Sequence, residues 1–138
     1  MARVPGKRPW GKRGKEGTTT LYRPVGGGEL QLIGETGFRE FPPRLPGQTT
    51  FYPVVTLEYA EQVARDWNAR DKAAGYRGFV TRFRVDSTFL AGYPQHQVGN
   101  SIHREYWIPA GDLAEFNRHI RGLIEVVAEF HGGPDNAA

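Results

Sequence analysis

Cysteine is absent from the 138 residues, which removes disulfides, thiolate metal sites and cysteine nucleophiles from the chemistry open to the chain. Long apolar runs are missing as well. No stretch approaches the ~20 residues of a membrane-spanning helix, and residues 1–17 lack the apolar middle of a secretory signal. The expectation is a cytoplasmic protein with no membrane association. A phosphate-binding loop is also missing: Gly26, Gly27 and Gly28 run together without the lysine or the spacing such a loop needs. No serine sits in a nucleophile elbow. The four histidines, His96, His103, His119 and His131, form no i, i+4 pair, so no metal is expected. What remains for chemistry is carboxylates, histidines, arginines and hydroxyls.

The net charge of +3 is unevenly distributed. Arg3, Lys7, Arg8, Lys12, Arg13 and Lys15 precede Gly17 with only Glu16 opposing them. A Gly/Pro-rich basic stretch with few apolar residues cannot bury enough surface to offset its ordering entropy, so residues 1–17 are expected to be a disordered arm. Its cations could meet phosphates and Trp10 could stack on a base. A merely solubilising arm is the equal alternative.

One domain is expected over residues 18–131, with 132–138 a flexible tail. TTTLYRPV supplies β-branched and aromatic residues for a first strand that ends near Arg23, and GELQLIGETG reads as a short helix stopped by Gly37. FREFPPRLPGQ is an irregular loop, because its prolines forbid a regular ladder. TTFYPVV is a strand broken by Pro53, after which Thr56 caps a helix carrying Leu57, Ala60, Val63, Ala64 and Trp67 on one face. GFVTRFRVD alternates Phe79, Thr81, Phe83 and Val85 against Val80, Arg82 and Arg84, so the arginine face is expected to be wet. Asp86 caps a turn of helix through STFLAGY. QHQVG, SIHREYWIP and LIEVVAEF give further strands, with a short helix over PAGDLAEFNRHI. About six strands and three helices, with strands gathered in the C-terminal half, predict an α+β fold.

Within HREYWIP, strand alternation puts His103, Glu105 and Trp107 on one side and Tyr106 and Ile108 on the other. If the latter pair faces the core, Glu105 and its neighbours line solvent or a cleft. A large aromatic beside the acid favours the cleft.

Glu105 followed by Tyr106, Trp107, Ile108 and Pro109 resembles the catalytic strand of mono-ADP-ribosyltransferases, in which a glutamate is followed by two apolar residues, an isoleucine and a proline. LYRPV resembles that superfamily's first strand, and FYPVVTLEYAEQVARDW its aromatic central element before a helix. The resemblance spans residues 21–109 in the family order. It implies split antiparallel β-sheets with flanking helices and NAD as substrate. It implies Glu105 as the catalytic acid and Arg23 as a grip on the dinucleotide. Phe51 and Tyr52 would stack on nicotinamide. His103, standing where the family has Gln or Glu, would orient or deprotonate the acceptor, a protein or a nucleic acid. An NAD glycohydrolase, an RNA 2′-phosphotransferase and a non-catalytic nucleic-acid or protein binding module on the same scaffold are the alternatives.

Overall fold

A computed structural model of the chain describes residues 17–133; the basic arm before Gly17 and the chain after Gly133 lie outside the described residues. The elements, in order, are β1 (Thr18–Gly26), α1 (Gly27–Glu35), β2 (Thr50–Phe51), α2 (Leu57–Asp66), β3 (Arg77–Asp86), α3 (Ser87–Leu90), β4 (Gln95–Gln97), β5 (Arg104–Tyr106), β6 (Ile108–Pro109), α4 (Leu113–Arg118) and β7 (Ile120–His131). Two turns of 3-10 helix, Asn68–Arg70 and Lys72–Ala74, join α2 to β3, and a third, Ala110–Asp112, precedes α4. The architecture is mixed α and β, with several small antiparallel sheets and four α-helices among the described residues.

The centre is a three-stranded antiparallel sheet in the order β1, β3, β7. Tyr22 lies opposite Arg82 in its register, and Thr20 opposite Arg84. β2 pairs with β6 and β4 with β5. Val54 joins these pieces: it bridges to Tyr22 of β1 on one side and to Glu105 of β5 on the other. Pro53 is the reason that join is a bridge instead of a continuous strand, since it has no N–H to donate to a ladder. Its carbonyl still accepts from the Tyr106 N–H at 2.9 Å.

Alternation along β1 and β3 divides the apolar residues between two cores. Leu21, Val25, Phe79, Phe83 and Val85 meet Ile33 of α1, Phe116 of α4, Phe41 and Phe51 on one face of the central sheet. Phe41 packs against both Phe51 and Phe83, with ring centroids 5.1 and 4.8 Å apart. On the other face, Val80 and Val54 pack under Ala60 and Ala64 of α2. The alanines set how near the helix can come. Gly78 completes the fit, because a Cβ there would lie 2.1 Å from the Ala64 carbonyl oxygen.

Several local expectations are corrected. α2 stops at Asp66, and Trp67 and Leu57 of its expected apolar face are 73% and 37% exposed, since only the alanine stripe meets the sheet. Thr56 does cap the helix, accepting from the Tyr59 N–H at 3.2 Å. Asp86 makes no side-chain cap for α3; its carboxylate is taken by His119 and Arg121, which form stronger, charge-assisted bonds. Gly132 belongs to the fold and not to a loose tail, its N–H bonding the Tyr76 carbonyl at 3.0 Å. No helix among the described residues is long and apolar enough to cross a membrane.

Candidate functional site

The bridge through Val54 decides which side chains share a surface. Residues directly opposite in a ladder point the same way, and neighbours along a strand point to opposite sides. Tyr22, Val54 and Glu105 therefore face α2 together. Arg23, one residue after Tyr22, faces the larger core. The two residues that a dinucleotide was expected to join thus lie on opposite sides of one layer, and the structure does not bring them into a single cleft.

Their surroundings differ accordingly. The Arg23 guanidinium is buried over the Phe51 ring at 4.6 Å from its centroid. It forks onto Glu29 of α1 through Nε at 2.8 Å and Nη2 at 3.1 Å. Nη1 donates to the Tyr52 carbonyl at 3.4 Å. Arg44 stands nearby, its Nε bonding the Thr50 carbonyl, and burial followed by the charge of Arg23 lowers its pKa from the ordinary value. Phe51 is fully buried, with Phe41 and Phe116 against it and Arg23 over its face, which leaves no surface to stack on a ligand. Tyr52 is 42% exposed; only its backbone carbonyl meets Arg23, and alternation after Phe51 turns its side chain to the side of Val54 and Glu105, opposite Trp107 in the register. Arg23 and Phe51 are thus a structural corner between β1, α1 and β2.

Glu105 sits among other residues. It is only 8% exposed, and each carboxylate oxygen takes one neutral donor: the Tyr59 hydroxyl to Oε1 and the Trp107 Nε1 to Oε2, both at 2.7 Å. Burial, then the hydrogen bond to Glu105 and its charge, raise the Tyr59 pKa far above its ordinary value, so Tyr59 remains the donor. No cation is hydrogen-bonded to Glu105 among the described residues, so a carboxylate held this way keeps its field uncancelled.

Two imidazoles flank it. His103, Glu105 and Trp107 fall on one side as the alternation within HREYWIP predicts. His103 packs edge-on against Tyr59 with ring centroids 4.9 Å apart. Its Nδ1 accepts from the Asn100 N–H at 3.1 Å, which makes Nε2 the donor to Gln62 Oε1 at 2.8 Å. Both nitrogens are committed, so His103 braces Tyr59 and has no free lone pair for an acceptor. His96 is different. It lies directly opposite Glu105 in the β4–β5 ladder and stacks on Trp107, ring centroids 3.6 Å apart and planes within 8°. Its ring nitrogens make no hydrogen bond among the described residues.

Tyr59 and His96 are the members of this cluster that sequence reading missed. Tyr59 lay outside the stripe chosen as the buried face of α2, although it is three residues from the cap Thr56. His96 was visible only as one of four scattered histidines. Reading GNSI, residues 99–102, as the turn of a hairpin would have placed Val98 opposite His103 and His96 opposite Glu105.

Comparison of the chain with models of known protein families, with curated proteins and with solved structures found no match in any of the three.

Proposed function

We propose that the Glu105 cluster carries out NAD-dependent transfer of ADP-ribose, on the split-sheet scaffold of the transferases that HREYWIP resembles, and that it does so without Arg23. One observation carries the reading. A buried carboxylate is oriented by two neutral donors, with an unengaged imidazole directly across the ladder. Loss of nicotinamide from NAD breaks the ribose C1–nitrogen bond, its electron pair leaving with nicotinamide, and builds positive charge on the ribose ring. Glu105, fixed and not paired to a cation, would stabilise that charge. The acceptor then bonds to C1, and the proton it loses goes to the free lone pair of His96. Tyr59 and His103 would keep the carboxylate in place, and exposed Trp107, backed by His96, would offer an aromatic wall.

Release of nicotinamide from NAD, measured with and without protein and nucleic-acid acceptors, tests the reading. Glu105→Gln keeps the size of the side chain and removes its charge; the amide oxygen can still accept from Trp107, and the Tyr59 hydroxyl can turn to accept from the amide NH2. It is expected to lower the rate about 10²-fold or more, as the loss of one placed electrostatic group commonly does. A variant that keeps the wild-type rate would show that Glu105 is structural. Release without any acceptor would favour NAD hydrolysis over transfer.

The second reading is a binding module without catalysis. It is favoured by the placement of Arg23 in an ion pair on the opposite side from Glu105. Calorimetric titration with NAD separates the two: no heat of binding, together with salt-dependent oligonucleotide binding that disappears on removal of residues 1–17, is the outcome this reading requires.

A further inference from the structure

On the same side as Glu105, the central sheet carries two arginines beyond α2. Tyr22 lies opposite Arg82, and the next outward pair on that face is Thr20 opposite Arg84. Here an open groove of about 280 Å³ is lined by Thr20, Arg82, Phe83, Arg84, Leu123 and Glu125. We propose that this groove binds the phosphate group of a small phosphate ester, with Arg84 as the principal anchor.

Arg84 is the exception among the arginines of the sheet. Arg23 pairs with Glu29, Arg77 with Glu129, Arg82 with Glu125 and Arg121 with Asp86. Arg84 is half-buried and has no acid partner among the described residues. Across the ladder it faces Arg121, itself taken by Asp86, so the ladder neighbour supplies Arg84 with no acid. It is nonetheless closely seated. Gly122 turns at φ +80°, and a Cβ at that position would lie 2.8 Å from Arg84 Nη2. A guanidinium held in a groove without a carboxylate presents its planar fork to an incoming oxyanion, which it can bind through two parallel hydrogen bonds.

The other walls fit the same ligand. The Thr20 hydroxyl, opposite Arg84, bonds to nothing among the described residues and can donate to a phosphate oxygen. Glu125 is the one acid in the groove, and Arg82 holds it through Nε at 3.1 Å and Nη2 at 2.9 Å. Leu123 is 51% exposed and supplies an apolar wall, which a bare inorganic ion would not use and the organic part of an ester would. The site stands independently of transferase activity. Were that activity present, Arg82 and Arg84 would be the sheet arginines sharing a face with Glu105, about three strand spacings or ~14 Å away.

Calorimetric titration with ADP and with inorganic pyrophosphate tests the site, supported by amide chemical shifts. In the wild-type chain, ADP is expected to bind and to move the amide signals of Thr20, Arg84 and Gly122. Arg84→Gln is expected to weaken ADP at least tenfold, the scale of a lost charge-assisted pair of bonds. Arg118→Gln removes the same charge outside the groove and is expected to leave affinity unchanged. Leu123→Ser is expected to weaken ADP and spare pyrophosphate. Absence of ADP binding, shifts confined to other residues, or equal losses in the Arg84 and Arg118 variants would each overturn the proposal. Equal affinity for pyrophosphate and ADP would overturn the ester part of it. Nicotinamide release is not part of the readout, so an inactive protein that binds ADP at Arg84 contradicts the transferase reading and leaves this site intact.

Discussion

A carboxylate that is 8% exposed needs its lone pairs satisfied, and the Tyr59 hydroxyl is one of the two donors that satisfy Glu105. Tyr59→Phe removes that donor and leaves the ring in place. The expected cost is about 1–3 kcal/mol in stability, read as a lower urea midpoint with an unchanged slope, because a buried acceptor is left short of a partner. Arg23 yields a different expectation at the same scale. Its fork on Glu29 and its contact with Phe51 hold α1 and β2 to β1. Arg23→Gln is expected to destabilise the fold by about 1–3 kcal/mol, since the partly buried Glu29 carboxylate loses its cation. Any nicotinamide release per folded molecule is expected to persist. Loss of turnover with stability unchanged would instead return Arg23 to the binding site that LYRPV suggested.

At the scale of elements, the contact between α2 and β3 is set by backbone approach. Gly78 sits under the Ala64 carbonyl, with Asn68 beside it. Gly78→Ala puts a methyl where the helix backbone already is, and overpacking of that kind costs about 1–3 kcal/mol. Thermal unfolding is the measurement; an unchanged midpoint would mean that α2 can lift away freely. The junction of β3, α4 and β7 is held by charge instead. Asp86 accepts from Arg121 and Glu115 from Arg118, and the His119 ring lies between the two acids, Nδ1 2.8 Å from Asp86 and Nε2 3.1 Å from Glu115. The hydrogen bond from Arg121, ahead of that from His119, holds the Asp86 pKa below its ordinary value. A depressed folded pKa means stabilisation present above the unfolded value, about 3.9, and lost as pH falls from there through the folded value. Asp86→Asn lacks the ionisation, so its stability is expected to depend less on pH over that acid range. Unfolding by urea at a series of pH values checks this, and parallel profiles for the two proteins would contradict it.

For the whole molecule, the central three-stranded sheet carries an apolar core on each face, and the buried members of both cores among the described residues fall between Leu21 and Ile124. A chain beginning at Thr18 is expected to unfold at the same temperature as the full chain, while its affinity for polyanions falls. A large drop in midpoint would show that the arm packs on the domain.

Local rules made the elements legible in advance. Alternation marked β3, with Phe79, Thr81, Phe83 and Val85 buried and Arg82 exposed. Thr56 marked the start of α2, and alternation within HREYWIP separated Glu105 from Tyr106. These are consequences of residue spacing, which a sequence carries in full. What spacing does not carry is how strands from distant parts of the chain line up. Arg23 and Glu105 both occupy strands as expected, yet the register through Val54 puts Tyr22, and not Arg23, on the side of Glu105. A shift of one residue would have reversed that, because side chains in a ladder alternate with a period of two. The same dependence brought His96 to Glu105 and left Arg84 without an acid. The elements and the larger apolar face of β3 were determined by the sequence by itself; the burial under α2 of Val80, expected on the wet arginine face, and which charged groups share a surface, were decided only by tertiary packing and register, because these depend on pairing between segments far apart in the chain.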